Sequence, residues 1–126
     1  RLFQEIREKR GLAYAIGSYA SNFREGGAFA AYGGTSVENY AQCVDLVEAE
    51  FAKVRREGVT DAELQRAKMQ FKVAAVMGQE SMSNRMNRLG KSEIYYDRVV
   101  PLDEVLAEVE RVTLDDIRRV AESVLP

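Results

Sequence analysis

The stretch that decides the fold of this chain is residues 12–34, which read LAYAIGSYASNFREGGAFAAYGG. Residues 12–22 alternate in character and carry tyrosine and isoleucine, a pattern that predicts a β-strand. Residues 28–34 predict a returning strand, and residues 24–27 (REGG) predict the turn between them. The two strands therefore form a predicted antiparallel hairpin with a connection of four or five residues. Both strands are rich in alanine, glycine and serine, which lets another backbone approach closely.

Helical patterns lie on both sides of this hairpin. Residues 1–10 predict the end of a helix, since Leu2, Phe3 and Ile6 recur at helical spacing and Gly11 follows as a helix-ending glycine. After the hairpin, Ser36 is the predicted N-cap of a helix that Gly58 ends. The apolar stripe of that helix consists of Tyr40, Cys43, Val44, Val47, Phe51 and Val54.

Four further helical segments follow before the end of the chain. Thr60 and Glu63 form a capping box that begins a helix predicted to end near residues 79–83. Residues 84–96 predict another helical segment, and a short helix follows Pro101. Thr113 is the predicted cap of a last helix.

The order of these elements predicts an α+β fold, with an antiparallel sheet packed on one side by several helices. A two-stranded hairpin cannot cover so many apolar helix faces, so we expect further strands before residue 1 and after residue 126. The chain also starts without methionine and inside an amphipathic pattern. We therefore interpret residues 1–126 as one truncated domain of a longer polypeptide.

The composition excludes several classes of site. The chain has no histidine and one cysteine, which excludes Ser-His-Asp and Cys-His arrangements, histidine-containing zinc sites and iron–sulfur sites. No phosphate-binding glycine motif is present. The net charge of −2 gives no basic surplus for binding nucleic acid or an anionic membrane.

The sulfur-containing residues predict packing rather than chemistry. Cys43 lies on an apolar helix stripe and is interpreted as a small buried hydrophobe. We expect the four methionines to fill a core rather than to form a contact surface. They are Met69, Met77, Met82 and Met86.

One pair of residues is left as a candidate site. Arg7 borders the buried face of its helix, and Tyr14 lies on the strand that leaves the Gly11 turn. A guanidinium and a phenol at these positions could both donate hydrogen bonds to a peptide carbonyl or an oxyanion. Alternatively, Arg7 pairs with a carboxylate at a helix end and Tyr14 packs on the sheet. Spacing alone favours this second interpretation.

The sequence resembles the C-terminal half of the pitrilysin/insulinase family, which includes the mitochondrial processing peptidases and many bacterial processing proteases. Residues 2–14 (LFQEIREKRGLAY) resemble the opening motif of that half, and residues 27–35 resemble a strand ending in a Gly-Thr step. Residues 78–90 (GQESMSNRMNRLG) are similar to the family's E-S-x-x-x-R-x-x-x-L-G region. Residues 112–117 (VTLDDI) are similar to its V-T-x-x-D-[VI] helix start.

The resemblance implies two homologous α+β halves that enclose a chamber. The N-terminal half carries the zinc motif H-x-x-E-H, so zinc is expected in that missing half and no cofactor in this chain. The C-terminal half supplies an arginine and a tyrosine, which match Arg7 and Tyr14. The resemblance implies that this pair is both catalytic and substrate-binding, holding the scissile carbonyl and stabilising its oxyanion. The small-residue hairpin would then line the chamber.

The resulting prediction is the substrate-binding half of a zinc metalloendopeptidase, inactive by itself. One alternative is a non-catalytic partner or scaffold subunit of the same fold, and another is an interaction domain with an open sheet edge. The expected partners are a peptide substrate and the N-terminal zinc-binding half or a catalytic subunit, with no nucleic acid or membrane. We expect the isolated chain to form a homodimer and the parent protein to lie in a bacterial cytoplasm.

Overall fold

A computed structural model describes residues 1–126, and the contacts among them divide the chain into two compact units. The first unit comprises Arg1–Gly58 and Arg118–Pro126, and the second comprises Val59–Ile117. The antiparallel sheet and the helices make the α+β class that the sequence predicted. The assignment of residues 1–126 to one domain stays a prediction.

The first unit begins with a π-helix, Phe3–Glu8. Two strands follow, β1 at Ala13–Asn22 and β2 at Gly27–Thr35. The helix α1 comprises Tyr40–Glu57. The last helix, α5, comprises Leu114–Val124, and its residues from Arg118 onward belong to this unit.

The second unit is helical. It contains α2 at Asp61–Met77, a single 3-10 turn at Gly78–Glu80 and α3 at Met82–Tyr96. The helix α4 at Leu102–Arg111 follows, and α5 begins in this unit. None of the helices in the chain is both long and apolar enough to cross a membrane.

The predicted hairpin is confirmed. The strands pair antiparallel from Asn22 and Gly27 at the turn down to Ala13 and Thr35 at the open end. Phe23 donates its N–H to the carbonyl oxygen of Gly26 at 2.8 Å, which closes the four-residue connection. The pairing is regular except at residues 13–15, where β1 has one residue more than β2. That extra residue is Tyr14, at a β-bulge.

The core of the first unit lies between the π-helix, the hairpin and α1. Its buried side chains are Leu2, Ile6, Ala13 and Cys43. Partly buried apolar side chains from β1, β2 and α1 surround them, and the rings of Phe29 and Phe51 lie 5.6 Å apart. Cys43 is buried and unbonded to any other cysteine, so its predicted packing role is confirmed. Val47 and Phe51 of the α1 stripe pack around this core, whereas Tyr40 of the same stripe is exposed.

The start of α1 differs from the prediction. Asn39, and not Ser36, occupies the N-cap position, and α1 begins at Tyr40. Residues 36–39 form a turn in which the Asn39 N–H donates to the Ser36 carbonyl oxygen at 3.2 Å. The Ser36 hydroxyl bonds to the Glu38 carboxylate instead of capping the helix, and this bond lowers the pKa of Glu38. The local hydrogen bond therefore competes with the cap.

Two other predicted helix starts are confirmed. The Glu63 N–H donates to the Thr60 hydroxyl at 3.3 Å, and the Glu63 carboxylate accepts from the Thr60 N–H at 2.9 Å. Thr113 makes the same reciprocal pair of bonds with Asp116. Both arrangements satisfy N–H groups that have no partner within the helix.

The prediction that the methionines fill a core is wrong for this chain. Their exposed fractions run from 61% to 76%. The four residues are Met69, Met77, Met82 and Met86. No other element of the second unit covers these side chains. Their exposure fits the less favoured interpretation of the sequence, a methionine surface available for contact with another chain.

Candidate functional site

The first half of the candidate site is the π-helix that carries Arg7. Its hydrogen bonds span one residue more than those of an α-helix: the Lys9 N–H donates to the Gln4 carbonyl oxygen, five residues back, at 3.0 Å. Ile6 is fully buried and anchors the segment to the core. Such wide turns occur often at functional sites, where they change the direction of neighbouring side chains.

A compact ion network lies on this helix. The Glu5 carboxylate pairs with the Lys9 ammonium and, at 2.9 Å, with the Arg10 guanidinium. The hydrogen bond from Lys9 and then that from Arg10 lower the pKa of Glu5 to about 2. Glu5 is therefore ionised at neutral pH, and two neighbouring cations occupy its oxygens.

Arg7 is exposed and does not pair with any carboxylate of the chain. Its guanidinium carbon lies 4.8 Å from the centre of the Phe3 ring, within the range of a cation–π contact. This contact supports the stem of Arg7 and leaves its N–H donors accessible. The interpretation in which Arg7 pairs with a carboxylate does not describe this structure, since Glu5 is taken by Lys9 and Arg10.

Tyr14 owes its direction to the β-bulge. In a regular strand, Tyr14 and Ile16 would point to the same face, because side chains alternate with a period of two. Ile16 packs against the core, whereas Tyr14 is 78% exposed. The extra residue in β1 breaks the alternation and turns the phenol to the face of the hairpin opposite α1.

This second face, the outer hairpin face, consists of aromatic side chains set beside glycines. Its residues are Tyr14, Gly17, Tyr19, Tyr32 and Gly34. The rings of Tyr19 and Tyr32 lie 6.2 Å apart, and all three tyrosines are exposed. Residues 11–23 and 26–37 carry no charged side chain. The face therefore offers phenol groups without fixed charge.

Arg7 and Tyr14 lie on either side of a tight turn. Gly11 has φ 64°, a left-handed conformation suited to glycine, and its N–H donates to the Arg7 carbonyl oxygen at 3.0 Å. Gly11 thus ends the helix as predicted. The two candidate side chains contact different neighbours, Phe3 for Arg7 and Gly34 for Tyr14. Their joint role stays a prediction.

The sequence did not predict that Gly34 lies directly under the Tyr14 ring. The Gly33-Gly34 pair suggests only the end of a strand. In the structure, Gly33 faces Ile16 on the core side, and Gly34 faces the Tyr14 ring on the outer face. The doubled glycine was the available signal, but its meaning depends on the bulge in the opposite strand.

A cavity of about 530 Å³ lies elsewhere in the first unit, between β2, α1 and residues 124–126. Its lining is mainly apolar and includes Phe29, Val47 and Phe51. Neither Arg7 nor Tyr14 lines it. Gly34 and Tyr32 of β2 do line it, so the cavity adjoins the outer hairpin face without including the two candidate side chains.

The residues of this chain do not fit a zinc site. Zinc in proteins is held by histidine, cysteine and carboxylate ligands. The chain has no histidine, its one cysteine is buried in the core, and no three of its cysteine, aspartate and glutamate side chains group closely enough to hold a metal.

Comparison with known proteins identifies the family. Residues 1–71 match the family model described as the peptidase M16 inactive domain. The chain therefore belongs to the peptidase M16 family, and the predicted resemblance to the non-catalytic half of these peptidases is confirmed. A solved peptidase M16 inactive domain from Pseudomonas fluorescens superposes with a TM-score of 0.80 at 25% identity, over 99% of this chain and 30% of that chain.

Two bacterial relatives extend the similarity over nearly the whole chain. An uncharacterized zinc protease of Streptomyces coelicolor is 42% identical over 99% of this chain and 27% of its own length. An uncharacterized zinc protease of Bacillus subtilis is 35% identical over 96% of this chain and 30% of its own length. The chain thus spans less than a third of these relatives.

Proposed function

We propose that this chain is the substrate-binding half of a zinc metalloendopeptidase that cleaves peptides or precursor proteins. The observation that carries the proposal is the match of residues 1–71, which include Arg7 and Tyr14, to the inactive domain of the peptidase M16 family. The similarity to bacterial proteins named as zinc proteases supports it. In this proposal, zinc and its ligands belong to the rest of the parent polypeptide or to a catalytic partner subunit.

The proposed contribution of this chain is electrostatic. Hydrolysis of a peptide bond places negative charge on the carbonyl oxygen, and donors held in position stabilise that charge. The guanidinium of Arg7 carries several N–H donors that no carboxylate occupies, and the Tyr14 hydroxyl is exposed. Both groups would bind the carbonyl oxygen of a peptide and hold it more tightly as the oxyanion develops.

The setting of the site supports an extended peptide as the ligand. The outer hairpin face carries no charge, and the phenol groups of Tyr14 and Tyr32 lie over the small residues Gly34 and Gly17. Such a surface accepts main-chain groups of a peptide without selecting for a charged side chain. The bacterial cytoplasm remains the proposed location of the parent protein.

The test uses the full-length parent protein loaded with zinc. Internally quenched peptides of mixed sequence are screened, and the one cleaved fastest serves as substrate. Arg7→Ala is expected to lower kcat by about 100-fold to 1,000-fold, because it removes a donor to the oxyanion. Zinc content should not change, since no metal ligand lies in this chain.

Arg24→Ala is the matched control, because Arg24 is an exposed arginine at the hairpin turn, away from the candidate site. It should cleave like the wild type. Normal kcat in Arg7→Ala would exclude the oxyanion role. A zinc-loaded wild-type protein that cleaves none of the peptides would favour the alternative, a scaffold subunit of the same fold.

A further inference from the structure

Gly34 stands where a side chain would collide with the Tyr14 phenol. A methyl group added at Gly34 would lie 2.5 Å from Cζ and 2.7 Å from the hydroxyl oxygen of Tyr14, and closer still to Cε1. Carbon atoms in contact are normally about 3.5 Å or more apart. The ring edge and the hydroxyl of Tyr14 therefore occupy the space that any other residue at position 34 would fill.

The other glycines of the hairpin differ in what they face. A methyl group at Gly17 would lie 3.0 Å from the Tyr32 hydroxyl oxygen, a milder clash with a different tyrosine. One at Gly33 would meet Ile16 on the core side. One at Gly26, in the turn, would meet nothing within 4 Å. The tightest approach on the outer hairpin face is thus the one at Tyr14.

The backbone at position 34 does not itself require glycine. The glycines with positive φ in this chain are Gly11 and Gly58, so Gly34 has a conformation that alanine can adopt. Tyr14 is exposed and its ring can swing away, whereas the β2 backbone is held by its pairing with Ala15. Alanine at position 34 would therefore move the phenol and leave the strand in place.

We propose that Gly34 is the residue that positions Tyr14 for its role in the proposed reaction. The bulge turns the Tyr14 side chain to the outer hairpin face, and the missing side chain of Gly34 leaves the space in which the ring and hydroxyl then lie. This inference rests on the proposed function of Tyr14. Gly34 acts through that residue and does not contact the substrate carbonyl.

The test compares four versions of the zinc-loaded, full-length parent protein: wild type, Gly34→Ala, Tyr14→Ala and the double variant. The substrate is the same internally quenched peptide. We expect Gly34→Ala to lower kcat by about 10-fold to 100-fold, since a shift of about 1 Å in a catalytic group has effects of this size. KM should change less than kcat, because the contact strengthens in the transition state.

In the Tyr14→Ala background, Gly34→Ala should change kcat by less than about 2-fold, because the ring that it displaces is gone. Gly26→Ala is the control for glycine replacement in the same hairpin and should leave kcat and the melting temperature unchanged. The melting temperature of Gly34→Ala should also match that of the wild type, since the displaced ring is exposed.

The other outcomes separate a failure of the proposed role of Tyr14 from a failure of the proposed positioning by Gly34. If Tyr14→Ala cleaves normally, the proposed function of Tyr14 is wrong. If Tyr14→Ala is impaired but Gly34→Ala is not, Gly34 does not position it. Equal losses from Gly34→Ala in both backgrounds would also overturn the inference. If Gly34→Ala fails to fold, the folding of the double variant is the test. The double variant should fold, because the ring that clashes with alanine is absent. If it also fails to fold, Gly34 is required by the strand itself and does not act through Tyr14.

Discussion

At the scale of single residues, Lys68 and Lys72 show how the setting of a side chain decides its contribution. They lie one turn apart on α2, and both contact Glu110 at the end of α4. Lys68 is buried, and its ammonium donates to the main-chain carbonyl oxygen of Glu110 at 2.7 Å. The Lys72 ammonium pairs with the Glu110 carboxylate, which is half exposed. Only the Lys68 contact satisfies a carbonyl in the last turn of a helix.

We expect Lys68→Ala to lower the free energy of unfolding by about 1–3 kcal/mol, because it leaves a carbonyl oxygen of α4 without a partner. Lys72→Ala is the matched control and should cost about 0–1 kcal/mol, since solvent screens its ion pair. Urea denaturation at a fixed protein concentration measures both. If both variants lost the same free energy of unfolding, the hydrogen bond from Lys68 to the main chain would contribute no more to stability than the ion pair of Lys72.

At the scale of elements, the helix starts differ in how well they are capped. Thr60 makes a reciprocal pair of hydrogen bonds with Glu63 at the start of α2. Asn39 occupies the same position before α1, but its side chain makes no capping bond. The two positions therefore separate the effect of a capping bond from the effect of replacing a polar residue at a helix start.

Thr60→Ala is expected to lower the free energy of unfolding by about 1 kcal/mol, because it removes an acceptor for the Glu63 N–H. Asn39→Ala should change the free energy by less than about 0.5 kcal/mol. The same denaturation experiment compares them. A larger loss for Asn39→Ala than for Thr60→Ala would contradict the capping geometry of both helices.

At the scale of the whole molecule, much apolar surface is uncovered. The four methionines of α2 and α3 are exposed, as are Ile94 and Tyr96. The sheet has only two strands, so each strand has one edge without a β-strand partner. Exposed apolar patches and open sheet edges both favour association with another chain. The length of the relatives fits this picture, since they contain more than three times as many residues as the matched chain.

We therefore expect chain 1–126, produced by itself, to associate with a second copy. Light scattering over a range of concentrations should show a mass that rises from that of the monomer toward that of a dimer. Association through the methionine surface predicts that Met77→Lys together with Met86→Lys shifts the equilibrium toward the monomer, because buried charges oppose it. A monodisperse monomer of the unaltered chain at every concentration would contradict the prediction.

The sequence by itself determined the features that rest on near neighbours. The hairpin, the Gly11 and Gly58 helix ends and the Thr60 cap were predictable, because each depends on residues within a few positions or on the φ values open to glycine. The positions of Arg7 and Tyr14 made them candidates, and the family resemblance, which followed from sequence motifs, gave them their implied role.

Tertiary structure alone decided what depends on distant partners. The burial of Lys68 requires Glu110, 42 residues away in the chain, and the exposure of the methionines depends on which other elements cover them. The direction of Tyr14 requires the pairing of β1 with β2, since a bulge exists only relative to a second strand. Local preferences act through bonded neighbours, whereas burial and register are set by segments that folding brings together.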